Sequence, residues 1–207
     1  GGLNVALQTA RILGQLRPTE VVTYRVREDG YSYLSDLLDQ ETSPGNALWH
    51  VSWGFDVPKL VQRLRGRPVV YHAHSVGYGF DVPPGLPVVS VSRNTLGYWG
   101  NRAPRNPLFL VPNPLEQQWI DCGDRSVFEK DSRTKPRSID VLVQERKSSS
   151  YVLNRLVPAL RRRGLSVVVQ KGWADDLVGL FNSSIVYLYD SAEYWRASGL
   201  SEGFGLP

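Results

Sequence analysis

Three groups of residues in this chain have types and spacings that could do chemistry. His72 and His74 stand two apart in the run Val69-Val70-Tyr71-His72-Ala73-His74-Ser75, so on a strand their imidazoles share one face. The C-terminal end of a parallel strand is where open α/β sheets bind ligands. The plainer reading is a pair of histidines capping a strand end. Zinc would want a third and fourth ligand at set spacing, and the remaining histidine, His50, and the single cysteine, Cys122, stand at no motif spacing. Ser75, in Ala73-His74-Ser75-Val76-Gly77, fits an A-x-S-x-G form of the serine-hydrolase nucleophile elbow. That fold takes its general-base histidine from later in the chain, and none follows His74.

The second group is Ser201-Glu202-Gly203-Phe204-Gly205-Leu206-Pro207, which follows the apolar run Ile185-Val186-Tyr187-Leu188-Tyr189 and its closing Asp190-Ser191. Glycines let backbone N–H groups approach a ligand closely, and an ionised carboxylate accepts hydrogen bonds from hydroxyl donors. An ordinary turn is the competing reading. The third group is Glu145-Arg146-Lys147, directly after the apolar Ile139-Asp140-Val141-Leu142-Val143, with Lys171 following a second such run. Cations there could meet phosphate, or form a solvated charge pair on a surface loop. Arg161-Arg162-Arg163 ends a helical stretch, where arginines complement the helix dipole. No aromatics interleave with them, so a nucleic-acid partner is not expected.

These residues need elements to hold them. The broad apolar face of Leu3, Val5, Ala6, Leu7, Ala10, Ile12, Leu13 and Leu16 recurs at helical spacing until Pro18, with Gly1-Gly2 as a loop just before it. Strands are expected at 20–26, 47–53, 69–75, 88–92 and 108–111, with helices around 33–38, 57–65 and from Arg93. A polar interval at 116–137 reads as a linker. Beyond it come strands at 139–143, 165–169 and 185–189, a helix over 151–163 stopped by Gly164, and a short one at 175–181. Strands alternating with helices predict parallel α/β sheets.

The chain has 207 residues with 42% hydrophobic and 21% charged content, enough for one large core or two modest ones. No stretch approaches the roughly 18 apolar residues of a membrane span, and Arg11 inside the first apolar pattern argues against a signal peptide. One cysteine leaves no internal disulfide and fits a reducing compartment. The net charge of +4 is compatible with anionic substrates or an anionic membrane surface. The sequence contains no methionine. Opening in what reads as a loop, it is expected to be a piece of a longer chain.

The segment from Asp176-Leu177 through Phe181-Asn182-Ser183-Ser184-Ile185-Val186-Tyr187-Leu188-Tyr189 to Ser201-Glu202-Gly203-Phe204-Gly205-Leu206-Pro207 resembles the donor-site segment of the retaining family-4 (group 1) glycosyltransferases. Val88-Val89-Ser90-Val91-Ser92-Arg93 through Val111-Pro112-Asn113-Pro114 is similar to the stretch that ends that family's first domain, with Pro114 where a glycine is usual. The resemblance implies a GT-B fold: two Rossmann-like domains with parallel sheets and the active site in the cleft between them. Residues 1–115 would form an acceptor-binding domain whose first strand precedes residue 1, and 138–207 part of the domain that binds a nucleotide-sugar donor. Glu202 would be the first carboxylate of the family's E-x7-E signature, the second falling three residues past Pro207.

By the same resemblance His74, with His72 as fallback, faces the transferred sugar. Arg146 and, less closely placed, Lys147 meet the diphosphate; the family's lysine position itself holds Tyr151. Backbone amides of Gly203, Phe204, Gly205 and Leu206 hold sugar hydroxyls or phosphate, and Gly1 and Gly2 line the acceptor side. No Asp-x-Asp triplet occurs, which favours metal-independent transfer without a cofactor. The implied partners are a nucleotide sugar and a saccharide or lipid-linked acceptor. The implied setting is cytoplasmic, with peripheral contact at the inner face of a membrane compatible with it. The alternatives are the serine hydrolase built on Ser75 and a non-catalytic nucleotide-sugar-binding protein.

Overall fold

The computed structural model describes residues 2–41, 43, 45–52, 54–123, 137–190, 197 and 201–202, with the backbone alone at 2–4, 122–123 and 201–202. The chain is α/β with parallel sheets, consistent with a Rossmann-like fold. Its contacts divide it into two compact units, Gly1–Pro114 with Gly199–Pro207, and Leu115–Ser198.

The first unit opens with α1 (Gly2–Gly14), whose Val5 is buried. Its main sheet consists of β3 (Trp49–Ser52), β4 (Val69–Ala73), β6 (Val88–Ser90) and β7 (Leu108–Leu110), all parallel and in that order. Helix α3 (Val57–Arg63) connects β3 to β4, and α4 (Arg93–Arg102) connects β6 to β7. Because strand neighbours are also sequence neighbours, the sheet is wound in one direction. Val51, Val69, Tyr71, Ala73 and Val88 point to one face and pack with Val57 and Leu64 near α3 and with Trp99 and Ala103 near α4. Trp99 anchors this layer: it is wholly buried, its ring meets Tyr71 edge-on at 5.3 Å, and its indole N–H donates to the Ser75 carbonyl at 3.2 Å. Ser92 caps α4 by accepting from the Thr95 N–H at 3.2 Å.

Two small pairings complete the unit. β1 (Val22–Thr23) runs parallel to β2 (Ser32–Tyr33), which leads into α2 (Leu34–Gln40). The strand expected over 20–26 thus shrinks to two residues, because its partner offers only two. Beyond it Arg25 turns to Asp56 and Arg27 to Asp36, ion pairs that take the side chains away from a ladder. The second pairing joins β5 (Ser75–Val76) to β11 (Ser201–Glu202), antiparallel.

The second unit has β8 (Ile139–Gln144) between β10 (Ser184–Leu188) and β9 (Val167–Gln170), again all parallel. Its core is Val141, Val143, Val152, Val157 and Val167. The helix expected over 151–163 has a π-turn at Val152–Leu156 before α6 (Val157–Arg162). Pro158 explains the wider turn: its ring clashes with a carbonyl four residues back and it has no N–H to give. The Val157 N–H instead bonds the Val152 carbonyl, five residues back. Gly164 ends the helix at φ +83°, a left-handed stop. The interval read as a linker begins with α5 (Gln117–Gly123), whose Trp119 meets Phe181 of α7 (Leu177–Asn182) at 5.4 Å. Residues 124–136 lie outside those described.

The first unit's core predicts a large response to one change. Trp99→Ala should lower unfolding stability by about 3–5 kcal/mol, read as the urea midpoint at constant m-value, while Trp99→Phe should lose less. Equal stability of Trp99→Ala and the parent chain would contradict the role given to this side chain.

Candidate functional site

Alternation along β4 decides where the histidines go. Tyr71 and Ala73 face α3 and α4, so His72 takes the opposite face of the sheet. The register pairs Ser52 with His72 and His50 with Val70, placing His50 on that same face of the neighbouring strand. The rings converge: His50 and His72 have centroids 4.9 Å apart, and His72 and His74 4.2 Å. His50 was not singled out for this cluster by sequence, since its link to His72 depends on strand register. The signal was its position two before Ser52, in step with the alternation of a neighbouring strand.

His72 is 5% exposed, and neither ring nitrogen has a hydrogen-bond partner. A buried polar group left unpaired costs about 1–3 kcal/mol, which the packing of the ring against His50 and His74 has to offset. Burial first, then the neighbouring rings of His74 and His50, push its pKa down to about 3. Burial and then His50 push that of His74 down to about 4. His50, on the edge strand, is exposed at one side, and desolvation of its ring lowers its pKa as well. All three imidazoles are therefore neutral near pH 7, able to donate one hydrogen bond and accept another. Among the described residues no group of three or more His, Cys, Asp or Glu is placed to hold a metal ion.

Beyond His74 the chain stays extended through β5, and β11 lies alongside. Ser201 pairs with Val76, and Glu202 with Ser75. The carboxylate residue chosen near the end of the sequence is thus brought, by its backbone, beside the residue that follows His74. The sequence reading grouped residues 138–207 in one domain; the ladder of Glu202 is with a strand of the first unit. The strand–turn–helix of a nucleophile elbow is not built at Ser75, since the next helix starts only at Arg93.

In the second unit Glu145–Lys147 forms a 3-10 turn immediately after β8. This turn is fastened to the end of β10. The Ser149 hydroxyl donates to Asp190 Oδ2 at 2.6 Å, the Ser149 N–H donates to the Asp190 carbonyl at 3.1 Å, and the Tyr187 hydroxyl donates to Gln144 Oε1 at 2.8 Å. Ser148 closes the turn by donating to the Gln144 carbonyl at 2.7 Å. Arg146 and Tyr151 are exposed on this rim. Lys171, past β9, reaches Glu145 with its Nζ 3.2 Å from Oε1. The turn sits where the strand order changes direction, β8 being followed by β9 on one side and β10 on the other.

Gly2 is the first residue of α1 rather than part of a loop before it, and Gly1, Gly203, Phe204, Gly205 and Leu206 lie outside the described residues. Cys122 falls in α5 of the second unit, whereas the three histidines belong to the first. A shallow polar hollow of about 450 Å³, lined by Arg27, Asp29, Tyr31, Tyr33 and Asp36 among others, contains none of the predicted residues. Comparison with protein-family models, with curated proteins and with solved structures finds no match.

The depressed histidines make stability depend on pH. An unfolded imidazole takes up a proton near pH 6.5, whereas the folded His74 and His72 do so only near about 4 and about 3. Stability is therefore full above pH ~6.5 and falls as the pH drops below it, by up to about 1.4 kcal/mol per pH unit per histidine. Urea midpoints between pH 7 and 4 should show this decline, and His72→Phe should make it shallower. An identical slope in the two proteins would contradict the burial of a neutral His72.

Proposed function

We propose that this chain belongs to a GT-B glycosyltransferase that moves a sugar from a nucleotide-sugar donor to a saccharide or lipid-linked acceptor, with retention of anomeric configuration and without a metal. The observation that carries the reading is the pairing of Glu202 with Ser75, next to His74. Glu202 and Ser75 are far apart in sequence, yet their backbones pair just past the C-terminal end of β4, beside His74. No nucleic acid and no cofactor enters this reaction, and a cytoplasmic setting fits a nucleotide-sugar substrate.

The residues divide the work by charge. A neutral His74 suits an uncharged hydroxyl, to which it can both donate and accept; an anion would favour a protonated ring instead. Glu202, ionised, accepts hydrogen bonds from hydroxyls of the donor sugar and steadies the positive charge that develops on the sugar ring as the bond to phosphate lengthens. Arg146 on its fastened turn, assisted by Lys147, neutralises the departing diphosphate, which is why no divalent cation is required. Gly2, at the start of α1, and Gly1 belong to the acceptor side.

Glu202→Gln keeps the shape of the side chain and removes its charge. Turnover should fall by at least tenfold, about 1.4 kcal/mol of barrier, with donor affinity and melting temperature little changed, because the interaction strengthens only as charge develops. Steady-state kinetics measures this. Full turnover in a well-folded Glu202→Gln protein would remove the basis of the proposal.

A further inference from the structure

Trp173 is the most exposed large apolar side chain among the described residues, at 83%. A fully hydrated indole is unusual on a surface, since burying such a ring removes 150–250 Å² from water. Its place is specific. It lies three residues past the end of β9, after Gly172 turns the chain with φ +65°, and the Gln170 side-chain amide donates to the Gly172 carbonyl at 2.7 Å to hold that turn. Gln170 pairs in register with Gln144, so the loop carrying Trp173 and the 3-10 turn carrying Arg146 leave adjacent strands at the same end of the sheet. The Lys171–Glu145 ion pair ties one loop to the other at 3.2 Å. An exposed aromatic face and the basic groups of Arg146, Lys147 and Lys171 thus share one rim of the second unit.

From this juxtaposition we infer that Trp173 is the stacking platform for the base of a nucleoside diphosphate, whose phosphates meet Arg146 on the neighbouring turn. The inference rests on the glycosyl-transfer reading and adds to it the residue that selects nucleotide over plain phosphate. Every nucleobase has a π-face, so stacking supplies affinity with little preference among bases. The cations supply the part of the affinity that a bare diphosphate shares. At 83% exposure the indole face is open to a ligand among the described residues.

The test separates the two parts of the ligand. Affinities of uridine, guanosine and adenosine diphosphate and of inorganic pyrophosphate are measured by titration calorimetry on the full chain, on Trp173→Ala and on Trp173→Phe, with melting temperatures as a check on folding. The expected result is that Trp173→Ala weakens the best nucleoside diphosphate by about tenfold or more, leaves pyrophosphate unchanged, and that Trp173→Phe keeps most of the affinity. If nucleoside diphosphates bind better than pyrophosphate and Trp173→Ala preserves that margin, the stacking role is overturned and the transferase reading stands. If no nucleoside diphosphate binds better than pyrophosphate in the parent chain, both fall.

Discussion

Strand β4 has to satisfy two opposite demands, and alternation of side chains is what lets it do so. On one face Tyr71 and Ala73 are wholly buried against the layer formed with Trp99. On the other, His72 meets His50 of the neighbouring strand and the ring of His74 that follows it. A slip of one residue in register would exchange the faces, driving imidazoles into the aromatic core and a tyrosine into the histidine cluster. Trp99 resists that slip twice over, through its ring on Tyr71 and its indole N–H on the Ser75 carbonyl. The same hydrogen bond helps hold Ser75 extended, so that β11 has an edge to join. Packing on one side of the sheet therefore fixes chemistry on the other.

The first unit gathers neutral imidazoles, whereas the second presents cations. Desolvation keeps His72 and His74 unprotonated well below neutral pH. In the second unit the cations stand on a turn tied down by Ser149, Asp190, Tyr187 and Gln144, where serine and amide groups do the fastening and leave Arg146 exposed.

Much of this was legible in the sequence because runs of β-branched residues bounded by turn signals are local facts. The four strands of the first sheet and the three of the second lie within the expected ranges or one residue beyond them. What was not legible was set by distant partners. Residues 20–26 look like a strand, yet only Val22 and Thr23 find a ladder. Residues 117–123 look like a polar linker, yet Trp119 has Phe181 to pack on, and a helix forms. The π-turn at Val152–Leu156 follows from Pro158, a residue whose presence was visible but whose consequence depended on the helix continuing past it. The site shows the same division. His72 and His74 stand out by their spacing on a strand and Arg146 by the family resemblance, while the approach of His50 and of the Glu202 backbone depends on register between strands far apart in the chain.

Thermal unfolding in the presence of a panel of nucleotide sugars tests most directly the proposed recognition of a nucleotide-activated sugar by this chain. A ligand at 100 times its dissociation constant adds about 2.7 kcal/mol to the folded state. One member of the panel should raise the melting temperature by several degrees, and should do so equally in excess EDTA. No shift with any member, or a shift that vanishes on chelation, would contradict the account.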